Sequence, residues 1–226
     1  MKKIETKQNA GFSLAELMIA MTIMLVLLGI VSTIYSRALS IRARESRKTD
    51  ALTSAQAALN VISRELANSG FGLYTDPDKK TPLNGIVLAD SNANKIHFRA
   101  NVVNFKTSAD TNITKPGEDI TYFFDAATDS IVRYDANAVY NTATNTYSGQ
   151  TSVIINRISN VTFQYFNYSG SNSTPTITST PTANTSRVRI TVEVSLEPVQ
   201  GQPNNQKVQF SSDVTLRNSD YMLNQY

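Results

Sequence analysis

The chain has 226 residues, of which 41% are hydrophobic and 17% are charged, and its formal net charge is +3 at pH 7. This composition excludes both a highly charged disordered tail and a polytopic membrane protein. The chain contains no cysteine and a single histidine, His97. These counts exclude disulfides, thiolate catalysis, iron–sulfur clusters and zinc cages built from cysteine or from several histidines.

The excess basic charge lies at the start of the chain. Residues 1–11 contain three lysines and one glutamate: Lys2, Lys3, Lys7 and Glu5. The remaining residues are close to neutral as a whole. Nucleic-acid binding through bulk charge therefore has little support, and the sequence establishes no nucleic-acid contact.

Residues 12–35 predict a transmembrane helix. This stretch of 24 residues has one charge, Glu16, and no proline. As a helix it would span roughly 36 Å, which exceeds a bilayer core of about 30 Å. The apolar run is too long for a cleavable secretory signal, whose apolar region is usually about 7–15 residues. A buried core helix is the alternative interpretation of such a run.

Glu16 is the unusual residue of this span. A carboxylate inside an apolar helix costs about 2.5–3.5 kcal/mol on insertion scales, so a partner is expected. If the chain were cut between Gly11 and Phe12, the new α-amino group would lie one helical turn from Glu16. A neighbouring copy, displaced along a filament axis, could bring its amine against this carboxylate. The alternative is a carboxylate that snorkels to the membrane interface.

The residues around this point resemble a known processing signal. A short basic leader ends at Gly11 and is followed by Phe12-Ser-Leu-Ala-Glu-Leu, which is similar to the class III signal of type IV prepilins and pseudopilins. The resemblance implies that a membrane prepilin peptidase cleaves after Gly11 and methylates the new amino terminus at Phe12. It also implies that Glu16 is the assembly carboxylate. Unlike many major pilins, the chain has no proline before Pro77.

The helix is predicted to continue beyond the membrane as an amphipathic segment over residues 36–69. Its apolar stripe has 3-4-3-4 spacing and consists of Leu52, Ala55, Leu59, Ile62 and Leu66. Such a stripe is typical of a helix that lies across a sheet. Gly70 and Gly72 supply the expected stop.

Residues 70–226 change to a period of two, which predicts a β-rich domain. Alternating apolar positions occur around Ile96–Val102, Ile120–Phe124, Val161–Tyr165, Val188–Leu196 and Val208–Leu216. The segment Asp-Ala-Ala-Thr-Asp-Ser after Phe124 predicts a hairpin turn. The expected fold is therefore α+β, with the long N-terminal helix packed on an antiparallel β-sheet as in type IV pilins.

Three polar features in this domain are assigned to its surface. Residues 169–186 contain eleven serines or threonines and no charge, which predicts a loop, with an exposed contact-making or glycosylated tip as the alternative. Asp76 and Asp78 depart from the spacing of an EF-hand calcium loop. His97 alternates with Ile96 and Phe98, which predicts a surface histidine. The motifs of common hydrolases and nucleotide-binding enzymes are absent, so we expect neither an enzyme nor a cofactor.

Residues beyond the apolar span make the resemblance to the prepilin and pseudopilin family more specific. Ser-Arg-Glu-Leu-Ala-Asn-Ser-Gly-Phe-Gly at the end of the helix, the hairpin over 120–134 and the terminal Val-Thr-Leu-Arg-Asn resemble PilW-type minor pilins and the related J-type pseudopilin of type II secretion. The resemblance implies a structural subunit of a filament. Its expected partners are the prepilin peptidase, other major and minor pilins, an inner-membrane assembly platform and, before assembly, membrane lipid. A single-pass envelope enzyme is the alternative from a different class.

The orientation of the span has two opposing indications. Five basic residues follow it: Arg37, Arg42, Arg44, Arg47 and Lys48. The positive-inside rule would then place the large domain in the cytoplasm. The composition of the domain and the resemblance to prepilins instead imply an inner-membrane protein whose C-terminal domain lies outside the cytoplasm.

Overall fold

The computed structural model describes residues 11–73, 83–103, 113–170, 174–196 and 206–225. The chain divides into two compact units, residues 1–47 and residues 48–226. A long N-terminal helix is followed by antiparallel β-strands, and the α+β class predicted from the sequence is confirmed.

Helix α1 comprises Leu14–Ala67 and is 54 residues long. Within the first unit, every apolar side chain of α1 from Leu14 to Ile41 is exposed. Gly70 and Gly72 follow the helix with φ angles of +82° and +68°. This left-handed conformation favours glycine and ends the helix, as predicted.

Within the second unit, α1 contributes an apolar stripe to the core. Ala55, Leu59, Ile62 and Leu66 are buried, as the spacing predicts, and Ala58 is buried beside them. The prediction for Leu52 was wrong, because this side chain is 43% exposed. The neighbouring Ala51 is partly buried and packs against the core, so Leu52 lies to one side of the buried stripe rather than within it.

Within the described residues, the strands form two sheets of four strands each rather than one, and all pairs are antiparallel. The first sheet has the order β1-β2-β3-β4, with β1 Lys95–Arg99, β2 Asp119–Asp125, β3 Ser130–Asn141 and β4 Thr146–Asn156. The second sheet has the order β6-β5-β7-β8, with β5 Asn160–Asn167, β6 Thr176–Thr178, β7 Thr185–Ser195 and β8 Lys207–Thr215. A short helix α2, Asp220–Leu223, follows the last strand.

The core joins the stripe of α1 to the apolar faces of both sheets. The predicted alternation is confirmed where it is clearest, since Val161, Phe163, Tyr165, Val188, Ile190 and Val192 all have no exposed surface. The predicted hairpin is also confirmed, because Asp125 of β2 pairs with Ser130 of β3. Val102 is an exception and is 39% exposed, because β1 ends at Arg99.

Polar side chains attach α1 to each sheet. Glu65 accepts hydrogen bonds from the Tyr122 hydroxyl on β2 at 2.6 Å and from Nε of Arg133 on β3 at 3.0 Å. The hydroxyls of Ser63 on α1 and Ser212 on β8 lie 3.2 Å apart. Burial, and then the neighbouring Glu65 carboxylate, raise the pKa of Tyr122 well above its usual range. Its hydroxyl therefore stays protonated and donates.

The Ser/Thr-rich segment 169–186 is not simply a loop, so that prediction was wrong in part. Thr176–Thr178 form strand β6, and Thr185 and Ser186 begin β7 with their side chains buried. Asn167 on β5 explains how hydroxyls can be accommodated here. It donates to Thr178 Oγ1 at 2.9 Å and accepts from the Thr185 hydroxyl at 2.5 Å. Asp76 and Asp78 lie outside the described residues.

Candidate assembly site

The first turn of α1 is closed by a pair of reciprocal hydrogen bonds. The backbone N–H of Ser13 donates to Glu16 Oε2 at 2.9 Å, and the backbone N–H of Glu16 donates to Ser13 Oγ at 3.2 Å. This is a capping box, in which two N–H groups that lack an intrahelical partner are satisfied by side chains. The sequence reasoning missed it, although Ser-Leu-Ala-Glu ahead of an apolar run has the required spacing.

The capping box determines which part of the Glu16 carboxylate is available. Oε2 is occupied by the N–H of Ser13, whereas Oε1 has no hydrogen-bond partner among the residues that the structure describes. The position of Glu16 in the first turn also favours an anion, because the helix dipole places partial positive charge there. One oxygen therefore remains able to accept a hydrogen bond from a cation supplied by another chain.

Gly11 and Phe12 lie immediately before the helix and are exposed, and the Phe12 side chain is 89% exposed. A Cβ placed on Gly11 would have no atom within 4 Å. By contrast, a Cβ on Gly70 would collide with the backbone of Leu83. The described fold therefore requires glycine at position 70 but not at position 11, and a requirement at Gly11 would come from a protein that recognises this segment.

The apolar surface that follows has the dimensions of a membrane span. Helix α1 is long and apolar enough to cross a bilayer, and none of its most apolar 18-residue window is buried. A helix that is apolar all round lies in a protein core or in a membrane. Because the fold of this chain does not cover the surface, a lipid phase or another protein chain has to do so.

His97 is not the surface histidine that the sequence predicted. Its side chain is only 13% exposed and lies between two carboxylates. Nδ1 is 3.0 Å from Asp90 Oδ2, and Nε2 is 2.5 Å from Asp119 Oδ1. The alternation with Ile96 and Phe98 gave the correct face, but it could not reveal partners that are distant in the sequence. Within the described residues, no group of three or more potential ligand side chains is arranged to hold a metal ion.

Comparison with known proteins identifies a motif at the start of the chain. Residues 6–32 match the prokaryotic N-terminal methylation motif, a range that contains Gly11, Phe12 and Glu16. No curated protein sequence matches the chain. The motif implies processing by a prepilin peptidase and partners in pilus assembly, and proteins that carry it are generally structural subunits rather than enzymes. The chain thus carries the N-terminal methylation motif of the type IV prepilin and pseudopilin family.

Proposed function

We propose that this protein is a minor pilin of a type IV pilus, which assembles through its N-terminal helix and primes or caps the filament. The observation that carries the proposal is the Glu16 carboxylate, held by a capping box at the start of a helix whose apolar side chains from Leu14 to Ile41 are all exposed. The chain is retained in the inner membrane as a prepilin and then transferred to the filament. It is a structural subunit without catalytic residues.

Processing prepares the site. The peptidase removes residues 1–11 by cleaving after Gly11, and the amine of Phe12 is methylated. Cleavage places a cation beside the first turn of α1. Because Ser13 N–H already occupies Oε2 of Glu16, the pairing with an amine would use Oε1.

Assembly then brings together two groups that are costly when isolated in an apolar medium. The Glu16 carboxylate of one subunit neutralises the Phe12 amine of a neighbour. In a low dielectric, the pair is strongly favoured over either charge alone, and a mismatched register leaves both charges unpaired. The pair therefore specifies the axial register of the subunit more than it adds to stability.

The resulting topology places the β-rich unit outside the cytoplasm. A reporter fused after Tyr226 tests this placement directly. Activity of a reporter that functions only outside the cytoplasm supports the topology, and activity of a cytoplasm-only reporter overturns it.

The test of the mechanism separates the charge of Glu16 from its capping role. Glutamine also fits a capping box, so Glu16→Gln removes the charge and keeps the cap. Ser13→Ala keeps the charge of Glu16 and removes the capping hydroxyl, at a typical cost of about 1 kcal/mol. The measurement is the ratio of the protein in sheared filaments to that in the membrane pool. Glu16→Gln and Glu16→Leu are expected to lower it about tenfold or more, because losing one partner of a buried charge pair costs about 2–5 kcal/mol.

Ser13→Ala is the control that distinguishes loss of the cap from loss of the charge. Ser13→Ala is expected to lower incorporation much less than Glu16→Gln. Wild-type incorporation of Glu16→Gln, together with losses for Ser13→Ala and Glu16→Leu, would assign Glu16 to helix capping alone. Wild-type incorporation of both Glu16 variants would remove this carboxylate from the assembly mechanism.

A J-type pseudopilin of a type II secretion system is the second candidate, because the segment after the helix resembles both groups. The two roles share the helix, the processing and the Glu16 pairing. The identity of the neighbouring genes distinguishes the two roles. A pilus assembly ATPase encoded with other minor pilins supports the pilus, whereas a secretin encoded with its own pseudopilins supports secretion.

A further inference from the structure

The first sheet carries a shallow depression that the assembly function does not use. Its volume is about 460 Å³, which lies within the range of about 300–1,000 Å³ for small-molecule sites. Charged side chains form one side of it, and the side chains of Thr121, Phe123 and Tyr134 form the other.

The charged side is a ladder in which basic side chains of β1 alternate with carboxylates. Lys95, His97 and Arg99 project from one face of β1, and each contacts a carboxylate. Lys95 pairs with Asp90, His97 lies between Asp90 and Asp119, and Nε of Arg99 donates to Asp119 Oδ2 at 3.0 Å. These contacts fix the position of the carboxylates and largely neutralise them.

Both carboxylates remain ionised. Burial acts to raise the pKa of Asp119, but the hydrogen bond and charge of His97, together with Arg99, outweigh it and hold that pKa below its usual range. The pKa of Asp90 is lowered in the same way, with Lys95 and His97 outweighing burial. The ladder therefore offers fixed hydrogen-bond acceptors with little net charge.

The uncharged side presents an aromatic ring. Tyr134 is 38% exposed, and its ring lies across Gly149 of β4, where any Cβ would collide with it. The ring is therefore held against the sheet. Within the described part of the chain, the hydroxyls of Tyr134 and Thr121 have no hydrogen-bond partner, so both can bind a ligand.

We propose that this depression binds a neutral saccharide ring, with one face of the sugar against Tyr134 and its hydroxyls on the charged ladder. The chemistry favours this class over others. A strongly charged ligand would have to disrupt pairs that already neutralise each other, and an apolar ligand would leave the ladder desolvated without partners. A sugar has both an apolar C–H face and a rim of hydroxyls. The proposal is independent of the filament function.

A second depression on the same sheet provides an internal comparison. It also has a volume of about 460 Å³ and contains Lys115, Tyr140 and Tyr147. Its polar groups are already engaged, because Tyr140 donates to Asn145 and Nζ of Lys115 donates to Tyr147 at 3.3 Å. Size and aromatic content are thus similar, and the unpaired hydroxyls distinguish the first depression.

The test is saturation-transfer NMR on the full chain in a detergent without a sugar headgroup. The probes are glucose, galactose and N-acetylglucosamine, with sialic acid as the charged comparison. Transfer to at least one neutral sugar is expected, stronger than to sialic acid. Tyr134→Phe removes only the hydroxyl and should weaken binding less than Tyr134→Ala, which should lower the affinity about fivefold or more through loss of the ring face. Tyr140→Ala, in the second depression, should leave binding unchanged.

A second variant distinguishes a loss of binding from a loss of folding. Asp90→Asn keeps the size of a partly exposed side chain and should weaken binding without unfolding the domain, as thermal unfolding checks. No transfer to any of the three neutral sugars overturns the proposal. Binding that is unchanged in Asp90→Asn, or in a folded Tyr134→Ala protein, also overturns it.

Discussion

The apolar side chains of helix α1 are arranged and covered differently in its two halves. Between Leu14 and Ile41 the apolar side chains lie on all sides and are exposed. Between Lys48 and Ala67 they form one stripe, and from Ala55 onward that stripe is buried. A stripe can be covered by sheets of the same chain, whereas an apolar surface on every side needs surroundings on every side. The second half is therefore part of a domain, and in the proposed function lipid and other subunits cover the first half.

The same contrast holds for polar groups. The first half has one carboxylate in its apolar span, and its hydrogen bonds are made to the adjacent turn, which leaves one oxygen free among the described residues. In the second half, Glu65 is engaged by both Tyr122 and Arg133 within the domain. Glu65 thus has its partners in the same chain, whereas in the proposed assembly the remaining partner of Glu16 belongs to a neighbouring chain.

The largest expected effect comes from separating the two halves. A fragment beginning at Arg47 should fold as a soluble monomer without detergent, because the second unit contains its own core. Circular dichroism, a cooperative thermal transition and sedimentation check this. As a control, a fragment beginning at Ser63 lacks Ala55, Ala58, Leu59 and Ile62 and should not fold. An unfolded Arg47 fragment beside an ordered full chain would contradict the division.

Matched substitutions compare the halves within the full chain. Ile62 has no exposed surface and Ile30 is half exposed, although both lie on α1. Ile62→Ala should destabilise the domain by about 2–5 kcal/mol, as is usual for a large-to-small change in a core. Ile30→Ala should leave the domain's unfolding transition unchanged, because Ile30 contributes nothing to that core. Urea unfolding followed by tyrosine fluorescence measures both, and similar losses would show that the two halves share one core.

A smaller effect is expected from acid, and it concerns the second unit. The pKa of Asp119 in the folded state lies below its ordinary value of 3.8, because His97 and Arg99 outweigh burial. A lowered folded-state pKa means that the carboxylate contributes stability above the unfolded pKa and that this contribution is lost as pH falls through the folded pKa. Stability should therefore decline below about pH 4. Asp119→Asn should reduce that slope, and an unchanged slope would show that this carboxylate is not stabilised by its partners.

The sequence predicted the parts of the fold that depend on strong periodicity. The stripe from Ala55 to Leu66 and the alternation from Val188 to Val194 are local patterns, and burial followed them. Strand β4 was not predicted, because most of its side chains are exposed and no period distinguishes its two faces. The division into two sheets depends on pairing between distant strands, which the alternation of one strand does not encode.

The features of the candidate site also differ in whether a local sequence pattern reveals them. Gly11, Phe12 and Glu16 form a contiguous motif, so their predicted roles needed only the sequence. The capping box was equally local and could have been recognised from Ser13 and Glu16. The neighbours of His97 are seven and twenty-two residues away along the chain. They become neighbours only when β1 pairs with β2 and the short 3-10 helix Leu88–Asp90 lies beside them.

The central claim is that residues 1–11 are removed and that the chain then enters a filament through its new amino terminus. The most direct test is mass analysis of the N-terminal peptide of protein recovered from sheared surface filaments. The account predicts a peptide that begins at N-methylated Phe12, with a loss of about a kilodalton from the precursor. In Gly11→Val, where the fold offers space for the new side chain, the precursor should remain uncleaved in the membrane. An intact Met1 terminus on wild-type protein, in cells with active peptidase, would contradict the account.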